Sequence, residues 1–146
     1  MFEGCTSLVN APELPKTTLS SLSDRLCYVS MFKNCTSLVN APDLPATVLG
    51  ESSYSGMFEG CTSLVVAPDL PATNLTSNCY KNMFSGCTSL NSITCLATDI
   101  SASNCTQNWV SGVATNGTFT KAPSMDSWTT GVNGIPTGWT VETASE

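Results

Sequence analysis

One eight-residue pattern recurs four times and constrains this chain more than any other feature. The pattern is Met-Phe-x-[Gly/Asn]-Cys-Thr-Ser-Leu, and its copies begin at Met1, Met31, Met57 and Met83. Successive copies therefore start 30, 26 and 26 residues apart. Periods of this size are typical of repeat proteins, in which each unit buries its apolar face by stacking on its neighbours. We therefore expect one elongated repeat domain in which equivalent residues of successive units lie over one another.

Each unit is predicted to contain a helix and a short strand. In one unit the apolar residues that follow Leu75, ending at Cys87, fall at offsets of 4, 5, 8, 9 and 12, which places them on one helical face. The preceding unit gives the same pattern from Leu49 to Cys61. The apolar run 64–68 follows the Cys-Thr-Ser turn and is predicted to be a strand that its proline ends. Stacked units would then place parallel strands on one face and helices on the other.

The repeats resemble the BspA-like leucine-rich repeat proteins of microbial surfaces. The resemblance covers residues 1–114 and rests on the four motifs, on Cys-Tyr pairs at Cys27 and Cys79, and on three Ala-Pro-[Glu/Asp]-Leu-Pro segments. It implies an α/β fold, namely a right-handed leucine-rich repeat solenoid with short parallel strands on one face and short helices on the other. It also implies an extracellular or cell-surface location and a role in adhesion or host contact, without pointing to one ligand.

The array is predicted to occupy residues 1–114 as four full units and a degenerate fifth. Trp109 takes the methionine place of that fifth unit, and no Cys-Thr-Ser-Leu follows it. Residues 115–146 contain two alternating runs, 118–121 and 139–142, separated by glycines and prolines, which predict a small β-rich C-terminal cap and tail. Because the chain begins at the first residue of a motif, with no capping unit before it, we also expect upstream repeats and a targeting segment that this sequence does not contain.

The composition argues against several classes of function. Charged residues make up 11% of the chain, the formal net charge is −6, and there is no histidine. With only five basic residues, the chain lacks the positive surface that nucleic acid requires. Without histidine the commonest general base is absent, so we expect no enzyme activity. No apolar run is long enough to span a membrane, and no paired Cys-x-x-Cys spacing suggests zinc, so we expect no membrane span in this piece, no cofactor and no metal.

Seven of the eight cysteines fall at two repeat positions, which predicts two inward columns of free thiols rather than bridges. The first column is Cys5, Cys35, Cys61 and Cys87, and the second is Cys27, Cys79 and Cys105. Cys95 lies outside both columns, ten residues before Cys105. We predict a disulfide between Cys95 and Cys105, the alternative being two unpaired thiols.

Acidic, amide and aromatic residues give three candidate ligand-binding sets, which are Glu13, Asp43 and Asp69; Asn10 and Asn40; and Trp128 and Trp139. The acids recur at one repeat position and so line one edge of the stack, where they either extend into solvent or hold a divalent cation or a basic partner. The amides flank a valine column that would be an apolar binding stripe if it faced outward and core if it faced inward. The tryptophans could form a platform for a sugar or could simply fill the cap.

The sequence thus predicts a monomeric recognition or adhesion module, secreted or on the cell surface. Its partner would be a protein or glycan on a host or neighbouring cell, bound through the face of the solenoid. The alternative is a structural spacer that presents another domain of a longer surface or phage protein and has no ligand of its own.

Overall fold

Short parallel strands are the only regular elements in the described part of the chain. A computed structural model describes residues 1–20, 26 and 28–146, so Cys27 lies outside it. The first interval between motifs is 30 residues instead of 26, and the sequence predicts its four extra residues within the region from Lys16 to Arg25, part of which also lies outside the described residues. The strands are β1 (Ser92–Cys95), β2 (Thr118–Lys121) and β3 (Thr140–Thr143), and they form one parallel sheet in the order β1-β2-β3. The remaining described residues form turns, bends, single bridges and irregular structure.

The predicted α/β leucine-rich repeat solenoid is wrong, because the segments expected to be helical are series of turns. In 78–86, the residues Asn78, Asn82 and Gly86 have φ angles of 57°, 55° and 76°. The same left-handed conformation recurs at every fourth residue in 52–60 and 104–112. A left-handed residue in each turn cannot belong to a right-handed α-helix. The spacing of four that suggested one helical face instead reflects a four-residue turn repeat.

Backbone hydrogen bonds join the turn segments of successive units directly. Five alternate N–H groups of 52–60 donate to carbonyls 25 residues further along the chain at 2.7–3.0 Å, and five of 78–86 do the same. Phe58, for example, donates its N–H to the carbonyl of Met83 at 2.9 Å. The turns therefore satisfy their backbone donors between units, which fixes the register of one unit on the next.

Two columns of aromatic rings run through the core and confirm that residues at one repeat position lie over one another. Phe2, Phe32, Phe58 and Phe84 stack with centroids 5.5–5.8 Å apart. Tyr28, Tyr54 and Tyr80 stack beside them at 5.8–6.2 Å. Both columns reach Trp109, whose ring stacks on Tyr80 at 6.0 Å and tilts against Phe84 at 6.3 Å.

The C-terminal segment, residues 115–146, lies against the turn segment 104–112 of the fifth unit. Asn133 accepts a hydrogen bond from the Asn108 N–H through its Oδ1 at 2.7 Å and one from the Thr106 hydroxyl through its carbonyl at 2.8 Å. The run predicted at 118–121 is present as β2, and the run predicted at 139–142 is present one residue later as β3, and both strands continue the sheet that β1 begins. The sheet includes strands from both sides of residue 114. The division of the chain at that residue therefore stays a prediction.

The first cysteine column is unbridged, as predicted, and three of its four thiols are buried, while Cys5 is half-buried. Cys35, Cys61 and Cys87 are free thiols, and each donates a hydrogen bond to the carbonyl of a phenylalanine in the preceding unit at 2.9–3.0 Å. Burial raises the pKa of the Cys61 thiol to about 12. These thiols therefore behave as small apolar side chains that also satisfy a core carbonyl.

Cys95 does not form the predicted disulfide with Cys105, since both are free and buried thiols. Isolated bridges pair Val66 with Ser92 but Leu70 with Cys95, so the later unit is one residue shorter between these two pairs. A constant 26-residue period would place Cys95 at the exposed position of Asp69, but the deletion places it at the core position of Leu70. The disulfide prediction depended on that constant period and is therefore wrong.

Changing Asn82 to alanine should lower the free energy of unfolding by about 1 kcal/mol, because a left-handed conformation is costly for a residue with an ordinary β-carbon. Asn82→Gly should be nearly neutral, since glycine adopts this φ without strain. Urea unfolding followed by tryptophan fluorescence measures both, with Lys81→Ala as a neighbouring control outside the left-handed positions. Equal losses for Asn82→Ala and Lys81→Ala would contradict the turn assignment.

In the folded chain at pH 8, Cys61, Cys79 and Cys95 should resist alkylation by iodoacetamide, while half-buried Cys5 reacts before them. Burial raises the pKa of each of these three thiols to about 12, so almost no thiolate is present to react. Peptide mass mapping after timed labelling measures the order, and early labelling of Cys61 would contradict it.

The same pKa shifts predict a loss of stability at alkaline pH. Below about pH 9 these thiols keep their protons in both states and contribute no pH dependence. Between about pH 9 and pH 12 the unfolded thiols ionise and the folded ones do not, so unfolding releases protons and its free energy falls as pH rises. Urea unfolding at pH 8 and pH 10 measures this change, and equal midpoints would contradict it.

Candidate functional site

The three Ala-Pro-[Glu/Asp]-Leu-Pro segments form one face of the stack. They cover residues 11–15, 41–45 and 67–71, and we call them the proline segments. The leucine of each segment is buried, while the acid beside it is exposed. Proline has no N–H, so two of the five residues in each segment cannot donate a backbone hydrogen bond to the next unit.

Backbone bonding between units is interrupted along these segments. Between the first two units, Ala11 donates to the Asn40 carbonyl at 3.0 Å and Leu19 to the Val48 carbonyl at 2.8 Å, but no backbone hydrogen bond joins residues 12–16 to 42–46. Between the next two units the interruption is longer, because none joins 37–49 to 63–75, ranges that the structure describes in full. The two units separate on this face while their phenylalanine rings stay stacked.

Side chains hold the two ends of the longer interruption. The Ser63 hydroxyl donates to the Thr36 carbonyl at 2.6 Å, and the Thr76 hydroxyl donates to the Gly50 carbonyl at 2.8 Å. Where the next unit lacks prolines, backbone bonding resumes, since Leu70 donates to the Thr94 carbonyl at 3.0 Å. Both interruptions thus occur where two proline segments face each other, but the greater length of the second is not due to proline, since Ala41 lacks the bond that Ala11 makes.

A groove occupies the interruption. Its larger part has a volume of about 460 Å³ and is lined by Asp43, Leu44, Pro45, Ala67, Pro68, Asp69 and Pro71. Its smaller part has a volume of about 300 Å³ and is lined by Glu13, Leu14, Pro15, Asp43 and Pro45. The two parts share Asp43 and Pro45, so they form one groove across three units, which we call the proline groove.

The carboxylates of the proline groove have no ion-pair partner in the described part of the chain. Neither Glu13, Asp43 nor Asp69 forms an ion pair with a lysine or arginine there. Two full charges about 6 Å apart repel by about 0.7 kcal/mol in bulk water, and by less where the units lie further apart. A cation in the groove would relieve this repulsion.

The structure disfavours a metal ion as that cation. Among the described residues there is no group of three or more aspartate, glutamate, cysteine or histidine side chains that could hold one. A divalent ion such as calcium takes six to eight oxygen ligands, whereas the proline groove offers scattered single carboxylates. The acids that the sequence predicts as one column do lie along one groove, but not as a ligand cage.

The valine column faces outward, which decides a question the sequence leaves open. Val9, Val39 and Val65 are 45%, 47% and 42% exposed, and we call these three residues the valine row. Asn10 and Asn40 follow the first two valines, form a parallel bridge and share a hydrogen bond from the Asn40 amide to the Asn10 amide oxygen. Three residues separate each valine from the acid of its own unit, so the valine row and the proline groove lie side by side.

Trp139 belongs to the core, and Trp128 is half-buried and packed against it, so the two do not form an open platform for a sugar. Trp139 is buried, and its indole N–H donates to the Ala114 carbonyl at 2.7 Å. The Trp128 ring stacks on Trp109 at 5.6 Å and makes a T-shaped contact with Phe119 at 5.1 Å. Both side chains therefore pack the C-terminal segment onto the array.

The groove-lining prolines Pro45 and Pro71 are not among the predicted site residues. The sequence signal that identifies them is the recurrence of two prolines, three residues apart, at one place in three successive units. Prolines at equivalent positions of stacked units remove the same backbone hydrogen bonds between each pair of neighbouring units, which predicts an opening there.

No helix in the described part of the chain has the length and apolar character that a membrane crossing needs. No model of a known protein family, no characterised protein and no solved structure matches the chain. Its function must therefore be argued from the chemistry of this face.

Proposed function

We propose that the chain is a recognition module that binds a protein on a host or neighbouring cell through the face formed by the valine row and the proline groove. The observation that carries this proposal is a groove across three units whose carboxylates form no ion pair within residues 1–20, 26 and 28–146, beside a row of exposed valines. A monomer would present this whole face to a partner.

The face has the anatomy of a protein-binding surface. Exposed apolar side chains in a row, bordered by amides and acids, are more typical of an interaction site than of inert solvent-facing surface. Val66 extends the apolar area, since it takes the place of the asparagine at this position and is 58% exposed. Repeat proteins commonly bind through such extended faces because neighbouring units present equivalent residues side by side.

The repeated motifs support a cell-surface or secreted setting. Their resemblance to the BspA-like surface proteins points to adhesion or host contact, and this part of the resemblance lies in sequence motifs and does not depend on helices. A protein partner is favoured over a glycan because Trp139 is buried and the half-buried Trp128 stacks on Trp109, so the two tryptophans present no open platform to a sugar.

Binding to a panel of extracellular matrix proteins and to a glycan array tests the proposal. The double variant Val39→Ser/Val65→Ser should lose binding to a matrix protein. The matched variant Val132→Ser/Val141→Ser, which changes two valines that are also 47% exposed but lie outside this face, should keep it. Binding to glycans alone would overturn the protein partner, and no binding on either panel would favour a spacer.

A further inference from the structure

Resting on that proposed function, we infer that the proline groove binds an extended basic segment of the partner, in which lysine or arginine side chains alternate with small polar residues. The groove is lined by both apolar and polar surface, and its borders carry carboxylates, as Pro45 and Pro71 lie beside Asp43 and Asp69. Lysine and arginine match this arrangement because their methylene stems pack on apolar surface while their charged ends remain at its edge.

The negative charge of the chain favours a basic segment in the groove. The formal net charge is −6, and the described ion pairs of lysines, Lys33 with Glu59 and Lys121 with Asp126, lie away from the groove. An acidic partner would be repelled by Glu13, Asp43 and Asp69 together. A basic segment instead meets three carboxylates that form no ion pair with any described residue, which is the complementarity that guides protein association.

The stacking of the units allows an extended chain to lie across them. At the phenylalanine column, on the other side of each unit, the rings are 5.5 and 5.7 Å apart. Alternate side chains of an extended peptide are about 6.6 Å apart on one face. Long basic side chains at every second position are therefore able to reach carboxylates of successive units.

The interruption also leaves backbone groups available to such a segment. Ala11 and Ala67 donate their N–H groups to carbonyls of the next unit at 3.0 Å and 2.9 Å. Their equivalent, Ala41, has no such bond, and the Val66 carbonyl that should accept it is also unbonded. Backbone groups of this kind at an open seam can bond to the backbone of an extended peptide.

The test is the affinity of the full chain for a labelled peptide, Lys-Ser-Lys-Ser-Lys, measured by fluorescence anisotropy at low salt. Asp43→Asn/Asp69→Asn should raise the Kd roughly fivefold to tenfold. The matched double variant Glu142→Gln/Glu146→Gln, which removes the same charge from exposed residues outside the groove, should change it less than about twofold. Equal unfolding midpoints for both variants show that the fold is kept.

Several results would overturn the inference. Equal weakening of peptide binding by the two double variants would indicate attraction by net charge alone. Equal affinity for a Glu-Ser-Glu-Ser-Glu peptide would contradict it, as would calcium binding that Asp43→Asn/Asp69→Asn abolishes while the lysine peptide does not bind. If a matrix protein binds through the valine row and Asp43→Asn/Asp69→Asn leaves that binding unchanged, the inference fails and the proposed function stands. If substitutions in the valine row also leave it unchanged, the proposed function fails as well.

Discussion

Replacing Phe58 by alanine should lower the free energy of unfolding by about 3 to 5 kcal/mol. The ring is fully buried between Phe32 at 5.7 Å and Phe84 at 5.8 Å. Its removal leaves a cavity that the neighbours cannot fill, because hydrogen bonds between the turn segments fix the distance between units. Since each unit is stabilised by its two neighbours, the substitution weakens two interfaces at once. Urea unfolding measures the loss.

Thr62→Ala is the matched control for Phe58→Ala. Thr62 lies four residues away in the same unit but is exposed, so its loss should stay within about 0.5 kcal/mol. A loss below about 1 kcal/mol for Phe58→Ala would show that the ring is not enclosed and that the phenylalanine column does not hold the stack together.

The superposition of the units could be predicted from the sequence without knowing the backbone conformation. A residue type that recurs at a fixed period must occupy equivalent surroundings in each unit, whatever the local structure is. Phe32, Phe58 and Phe84 therefore form a column, and Cys35, Cys61 and Cys87 form another, just as the period requires. The exposed acids follow the same rule.

The conformation of the turn segments could not be predicted from apolar spacing, because a helix and a four-residue turn repeat both bring residues i and i+4 to one side. The residues between the apolar positions distinguish the two. Asn78, Asn82 and Gly86 occupy every fourth place, and asparagine and glycine are the residues that best tolerate the left-handed conformation. Helix propensity is low at these residues, which is the signal that favours turns.

The candidate site was predictable in its charges but not in its shape. The column of Glu13, Asp43 and Asp69 follows from the period, whereas the groove depends on hydrogen bonds that prolines remove at two seams. The outward direction of the valine row depends on which side of each strand meets the core, and a run of consecutive apolar residues does not determine that side. Cys95 shows the limit of a fixed period, since one deleted residue moved it from the acid column to the leucine column.

Trp109→Ala should lower the free energy of unfolding by about 3 to 5 kcal/mol, because this ring joins the repeat array to the C-terminal segment. It is fully buried, lies between Tyr80 at 6.0 Å and Trp128 at 5.6 Å, and donates its indole N–H to the Gly134 carbonyl at 2.8 Å. Alanine would end the tyrosine column at Tyr80 and leave that carbonyl buried without its donor, which adds to the cost of the cavity.

Trp109→Phe separates these two contributions. Phenylalanine keeps a ring against Tyr80 and Trp128 but cannot donate to Gly134, so its loss should be about 1 to 2 kcal/mol. Urea unfolding measures both variants, and hydrogen exchange at Phe119 in β2 reports whether the C-terminal segment loosens first. Because that segment packs on the array through Trp109, Trp109→Ala should speed exchange at Phe119 more than at Phe32. Equal protection of β2 in the wild type and in Trp109→Ala would show that the segment is held by other contacts.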